Sequence, residues 1–157
     1  MLTTANDSPS LGSAMTPTTI LFLCTGNSCR SQMAEGWARQ LWPSGYRFYS
    51  AGIVKHGLNP NAVKVMLEAG VDISAHYSKT LDDLADIEFD IVFTVCCHAH
   101  ETCPAFLGKT KKIHVGFDDP PMLAKSATTE EQALRHYRRV RDEIRDFIAQ
   151  LPAQVNK

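Results

Sequence analysis

The feature that most constrains this chain is the run Cys24-Thr25-Gly26-Asn27-Ser28-Cys29-Arg30-Ser31, set between the apolar stretch of residues 19–23 and a helix-like stretch over residues 32–42. A strand feeding a tight polar loop that feeds a helix aims backbone N–H groups and the helix N-terminus at one point, which makes an anion site. Cys24 enters the loop and Arg30 leaves it. A sulfur therefore sits at the floor of an oxyanion cradle, with a planar guanidinium available for bidentate contact. Thr25, Gly26, Asn27, Ser28, Cys29 and Arg30 are the oxyanion-binding positions, and Gly26 is read as the residue that permits the tight backbone. The positive surroundings favour the Cys24 thiolate, which is the nucleophilic form. Taken alone, the loop implies sulfur attack on a tetrahedral oxyanion.

The rest of the chain supplies the frame. Met33, Trp37 and Leu41 recur every four residues and give the first helix a buried stripe. Residues 47–51 read as a second strand closed by Gly52. Asn59-Pro60 starts a second helix, with Asn as N-cap, Pro in the first turn, Val63, Met66 and Leu67 on its buried face, and Gly70 as its stop. A short helix is expected near residues 80–85. Residues 89–95 form a nearly continuous apolar strand, as in the interior of a parallel sheet, and residues 112–116 form a fourth. Residues 117–126 read as a long loop. The last helix starts at Thr128 or Thr129, where Glu131 or Gln132 completes a capping box, and buries Leu134, Tyr137, Val140, Ile144, Phe147 and Leu151.

This alternation predicts an α/β fold: a three-layer, doubly wound, flavodoxin-like arrangement of a four-stranded parallel sheet flanked by helices. Residues 1–18, rich in Ser, Thr and Pro, read as a disordered leader, and 19–157 as one domain. In such sheets ligands bind beyond the carboxyl ends of the strands. The polar clusters after Leu23, Val95 and Gly116 all follow strand ends, so one site can collect them.

Net charge is −1 and no apolar run approaches a membrane span, so composition supplies no case for nucleic acid, an acidic partner or a membrane. The chain reads as a soluble, cytoplasmic monomer. Its five cysteines fall in two clusters rather than in a disulfide framework, a pattern that suits catalytic or metal chemistry in a reducing compartment. The basic run Arg135, Arg138, Arg139, Arg141 and Arg145 alternates with Asp142, Glu143 and Asp146 and reads as a solvated, salt-bridged helix face.

Oxyanion chemistry needs a proton donor for the departing oxygen. Asp119, followed by Pro120, is the first choice and Asp118 the second. The second cluster, Cys96-Cys97-His98-Ala99-His100-Glu101-Thr102-Cys103, bears on the class of reaction. Hydrolysis needs one cysteine, whereas a reductive site needs a source of two electrons, and two thiols closing to a disulfide supply them. If residues 97–103 are helical, Cys96 and Cys103 lie roughly 10 Å apart along the axis. A disulfide tolerates no more than about 7 Å between Cα atoms, so closing one requires the segment to unwind. Two other readings stay open. Cys96, Cys97, His98, His100 and Cys103 could supply soft metal ligands, although their spacing departs from the C-x-x-C zinc pattern, or the cysteines are buried and inert. Cys29 and Cys97 read as bystanders, with Cys29 close enough to Cys24 to be an off-pathway oxidation partner.

The Cys24-to-Arg30 loop with Ser31 to Trp37, the Tyr49-Ser50-Ala51-Gly52 turn, the Cys96/Cys103 pair and Gly116-Phe117-Asp118-Asp119-Pro120 together resemble the thioredoxin-coupled arsenate reductases of the low-molecular-weight protein tyrosine phosphatase fold. The resemblance implies that Cys24 attacks arsenate while Asp119 protonates the departing hydroxyl, and that Arg30 and the loop amides hold the oxygens. It implies that Ser31 stabilises the Cys24 thiolate through its hydroxyl. It further implies a Cys24–Cys96 disulfide with release of arsenite, then a Cys96–Cys103 disulfide that thioredoxin reduces, with no bound cofactor. The role implied is arsenic detoxification, with weak phosphatase activity as a side reaction. Family members that bind potassium beside the loop use an Asn, a Glu, a Ser and an Asp. Asn27, Glu35 and Ser50 match, but Lys79 stands in place of the Asp, and its ammonium is inferred to act as a tethered cation instead of a bound metal. The runner-up, a tyrosine phosphatase, usually follows Asp-Pro with an aromatic residue, and here that residue is Pro121. A metalloid- or zinc-binding sensor built on the second cluster is the alternative outside enzymes.

Overall fold

The computed structural model describes residues 16–96 and 110–156. Four strands, β1 (Thr18–Cys24), β2 (Tyr46–Gly52), β3 (Ile91–Thr94) and β4 (Lys111–His114), form one sheet in the order β2-β1-β3-β4. Every pairing is parallel. The helices are α1 (Arg30–Leu41), α2 (Pro60–Glu68), α3 (Pro120–Ala124), α4 (Glu130–Ala149) and α5 (Leu151–Val155), with a 3₁₀ turn at Leu81–Leu84. The expected four-stranded parallel sheet flanked by helices is what forms.

β1 is central because its residues are apolar on both faces: Ile20, Leu21, Phe22 and Leu23 are fully buried. Phe22 stacks between Phe48 of β2 and Phe93 of β3 at centroid separations of 6.1 and 5.8 Å. α1 and α4 are pinned together by two indoles. Trp37 Nε1 donates to Arg141 O (3.1 Å) and Trp42 Nε1 to Ile148 O (2.8 Å), so the buried Trp37 and the partly buried Trp42 both have their polar atom satisfied.

Local sequence rules account for the helix ends. Asn59 caps α2 by accepting from the amides of Asn61 and Ala62. At α4 the capping box is shared between adjacent threonines. Thr129 Oγ1 accepts from Gln132 N, while Gln132 Oε1 reaches back to the amide of Thr128.

Several expectations are corrected. Leu41 and Leu67 are exposed, because the buried stripe of α1 ends at Ala38 and that of α2 runs through Ala62, Val65 and Met66. Phe147 is only partly buried, and Ile148 takes its place in the core. Leu151 starts the separate helix α5. Residues 117–126 are not an open loop: Pro120 and Pro121 start α3 directly after Asp119, whose extended backbone forms its N-cap position. The salt bridges expected along the basic face of α4 do form, Arg139 with Glu143, Arg141 with Asp142 and Arg145 with Asp146, and the same face also reaches α2. Arg138 pairs with Glu68 and Glu131, and Arg141 Nη1 donates to Val65 O (2.8 Å), tying α4 to α2. Among the described residues no helix is long and apolar enough to cross a membrane.

Candidate active site

The sheet order puts a change of winding direction between β1 and β3, and the loops after β1, β2 and β4 meet at the carboxyl end of the sheet, where Val95 and Cys96 follow β3. Residues 24–30 turn from β1 into α1 there. Their carbonyls are taken up from outside. Cys24 O accepts from Ile53 N, Thr25 O from Val54 N, Gly26 O from His56 N, Ser28 O from Asn59 N and Cys29 O from Met33 N, at 2.9–3.2 Å. Asn27 O accepts from Ser78 Oγ (2.7 Å) and Gln32 Nε2 (3.2 Å). In a trans peptide the N–H points opposite the C=O. With the carbonyls drawn outward, the amides of residues 25–30 turn inward as an anion-binding nest. They border a cleft of about 260 Å³ lined by Cys24, Arg30, His56, Asn59, Asp119 and Pro121 together with loop residues.

The left-handed residue of the loop is Asn27 (φ 49°), not Gly26. An asparagine tolerates that conformation because its side chain bonds locally. Gly26 is needed for space: a Cβ there would lie 2.2 Å from His56 Nδ1. Gly52 is needed for the same reason, since its Cβ would lie 2.6 Å from the backbone nitrogen of Asn27.

Side chains behind the loop form one directed network. Lys79 N, which can only donate, bonds Asn27 Oδ1 at 2.8 Å and so fixes the orientation of that amide. Asn27 Nδ2 then donates to Ser31 Oγ (2.8 Å). The Ser31 hydroxyl, with its oxygen accepting from Asn27, has its own proton left for Cys24 Sγ, 2.8 Å away. Gln32 and His76 stand behind Asn27: Gln32 Nε2 donates to Asn27 Oδ1 (3.0 Å) and Tyr77 O (3.0 Å), and its Oε1 meets His76 Nδ1 at 3.0 Å.

Cys24, Cys29 and Cys96 are all buried. Burial, reinforced by the Cys24 charge, pushes Cys29 far up, so it stays a protonated thiol and not a second nucleophile. Cys96 lies two residues past β3, with its Sγ 3.2 Å from Thr25 Oγ1. A second sulfur therefore touches the oxyanion loop itself. Cys97, His98, His100 and Cys103 lie outside the described residues, as do the helical segment expected there and its metal alternative.

The two candidate acids are separated by their partners. Arg139 of α4 holds Asp118 at 3.0 Å. Asp119 lines the cleft and faces Arg30 at 3.6 Å, while Arg30 Nη1 also donates to Phe117 O (3.0 Å) and so ties the acid segment to the thiol loop. Pro121 forms part of the wall where a phosphatase would carry an aromatic ring.

Asn27, Glu35, Ser50 and Lys79 are buried together behind the loop. The side-chain oxygens of Asn27 and Glu35 are engaged by donors of the protein itself. Asn27 Oδ1 takes Lys79 N and Gln32 Nε2, and the Glu35 carboxylate takes Ser50 Oγ (2.6 Å) and Arg39 Nε (2.8 Å). Lys79 Nζ donates to Tyr77 O (2.9 Å) and sits 4.7 Å from the centre of the Tyr77 ring. Burial lowers its pKa, and the Glu35 charge opposes that shift.

The sequence reading missed His56 altogether, and it read Asn59 only as a helix cap. Both lie in the segment just past the carboxyl end of β2, so the strand-end rule applied to the other three strands would also have found them.

Comparison with known proteins agrees with this architecture. The chain is 52% identical over 125 residues to an arsenate reductase of Halalkalibacterium halodurans, covering 80% of this chain and 88% of that one. It is 47% identical over 131 residues to an arsenate reductase of Staphylococcus aureus, covering 83% and 93%. A solved arsenate reductase in a phosphate-binding state superposes with a TM-score of 0.69 at 27% identity, over 88% of this chain and 98% of that one. The family model for the low molecular weight phosphotyrosine protein phosphatases matches residues 19–157. With the parallel sheet, the thiol-bearing anion loop and the acid facing it, this match means that the chain belongs to the low molecular weight phosphotyrosine protein phosphatase family.

Proposed function

We propose that this chain is an arsenate reductase that works by a relay of three thiols. The observation that carries the reading is the buried Cys96 sulfur, 3.2 Å from Thr25 Oγ1 of the oxyanion loop. A hydrolase finishes its cycle with water and has no use for a second thiol there.

In the proposed cycle, arsenate binds to the inward amides and Arg30, and the Cys24 thiolate attacks arsenic. The departing hydroxyl takes the proton of Asp119 and leaves as water, giving a Cys24–arsenic(V) bond. The Cys96 thiolate next attacks Cys24 Sγ. The electron pair of the sulfur–arsenic bond passes to arsenic, which leaves as arsenite, and the Cys24–Cys96 disulfide holds the two oxidising equivalents. Cys103 then attacks Cys96, freeing Cys24 as a thiolate and forming Cys96–Cys103. A dithiol protein of the thioredoxin type reduces that bond, so no bound cofactor is required. Such a cycle needs the reducing conditions of the cytoplasm, and its cellular role would be arsenic detoxification. The Lys79 ammonium serves as a tethered cation that steadies the loop from behind. Weak phosphatase activity accompanies it, since Cys24, Arg30 and Asp119 also meet the needs of phosphoryl transfer.

The test is arsenate-dependent turnover with thioredoxin and its reductase, on wild type and on Cys24→Ser, Cys96→Ser and Cys103→Ser. Each variant is expected to lose multiple turnover. Full turnover by Cys103→Ser would remove the relay, and an active Cys24→Ser protein would remove the mechanism.

A further inference from the structure

The segment after β2 lies along the oxyanion loop as a strap, its amides of Ile53, Val54, His56 and Asn59 each bonded to a loop carbonyl. Two strap residues line the cleft, His56 and Asn59. The Asn59 side chain is committed: its Oδ1 accepts from Asn61 N and Ala62 N, and its Nδ2 donates to Tyr137 Oη (3.2 Å). Lys55, the neighbouring cation of the strap, is drawn to Asp83 at 3.1 Å. The His56 imidazole makes no side-chain hydrogen bond among the described residues and is open to solvent at the cleft.

The ring nevertheless packs against the loop. The His56 amide donates to Gly26 O (3.0 Å), and the ring lies where a Cβ on residue 26 would be, 2.2 Å from Nδ1 and 2.5 Å from Cγ. Gly26 lies outside the left-handed region. The glycine therefore serves to seat the imidazole on the loop, and residues 26 and 56 form a matched pair. An imidazole carries at least one N–H donor in either charge state. It is seated on the rim of an anion nest with no other acceptor engaged, where a hydrogen bond to a charged oxygen is among the stronger kinds.

We propose that His56 is a further substrate-contacting residue, whose ring N–H donates to an oxygen of the bound oxyanion from the strap side of the cleft. This rests on the reading of the cleft as an arsenate site. It adds a side-chain donor to the backbone amides and Arg30, and so raises affinity for a tetrahedral oxyanion without entering the proton or electron transfers.

The experiment is equilibrium binding of inorganic phosphate to the reduced protein, followed by titration calorimetry, together with steady-state arsenate kinetics. His56→Ala is expected to weaken phosphate binding about tenfold and to raise KM for arsenate by a similar factor, with kcat retained. His56→Gln, which keeps a donor, is expected to retain most of the affinity. Gly26→Ala is expected to bind poorly and to recover part of its affinity in the Gly26→Ala, His56→Gly double variant, which removes every His56 side-chain atom that a Cβ on residue 26 would meet. Unchanged phosphate affinity in His56→Ala overturns the inference, as does a His56→Gln protein as weak as the alanine variant, or a double variant no better than Gly26→Ala. In those cases a wild type that reduces arsenate keeps its proposed function. A wild type that neither binds phosphate nor reduces arsenate removes both.

Discussion

Ser31 Oγ lies 2.8 Å from Cys24 Sγ and accepts from Asn27 Nδ2 at the same distance, which leaves its proton available to the sulfur. Hydrogen bonds to charged groups are worth more than neutral ones, and losing one costs about tenfold or more in the affected step. Ser31→Ala is therefore expected to slow iodoacetamide alkylation of Cys24 at neutral pH and to lower kcat/KM for arsenate by a similar factor. Asn27→Ala removes the same constraint one bond further back and acts in the same direction. Wild-type alkylation rates in Ser31→Ala would show that the hydroxyl does not support the thiolate.

Asp118 and Asp119 are adjacent but unequal. Asp119→Asn is expected to lower kcat by about 10²-fold or more, the usual contribution of a positioned proton donor. Asp118→Asn breaks only an exposed pair with Arg139 and is expected to cost less than about fivefold. Steady-state kinetics on the two variants decide the assignment, and a reversed order would move the acid to Asp118.

The proposed tethered-cation role of Lys79 bears on the response to potassium. Wild-type activity is expected to be unchanged when sodium replaces potassium. In Lys79→Asp the ammonium is lost and a carboxylate is added beside Glu35, so activity is expected to fall in sodium and to recover in potassium. A strong potassium requirement in the wild type would sink the tethered-cation role.

His76, packed against Gln32, has its pKa lowered by burial, opposed by the Glu35 charge. The unfolded chain takes up this proton near the ordinary value of 6.5, at a pH where the folded chain does not. Stability linked to His76 is thus fully present above pH 6.5, is lost as pH falls toward the lower folded-state value, and then levels off. Urea unfolding over this range is expected to show a shallower loss in His76→Gln than in wild type. Parallel curves would show that the acid sensitivity arises elsewhere.

Much of this was legible along the chain. The continuous apolar run of β1 required a strand buried on both faces. Asn59-Pro60 and the Thr128-Thr129 pair marked helix starts by their own side-chain chemistry. Cys24, Arg30 and the amides between them needed only a strand on one side and a helix on the other. The errors lay where burial depends on what packs opposite, as at Leu41, Leu67 and Phe147, or where a residue type has two uses, as with Gly26.

The sequence by itself determined the strand–loop–helix cradle with sulfur at its floor, because periodicity and residue type act over neighbouring positions. Only the tertiary structure decided which of two aspartates faces the cradle, that Ser31 is shared between Cys24 and Asn27, that Cys96 touches Thr25 and that His56 sits on Gly26. Each of those depends on contacts between segments tens of residues apart, whose side-chain directions are set by the order of the strands and by close packing at the carboxyl end of the sheet.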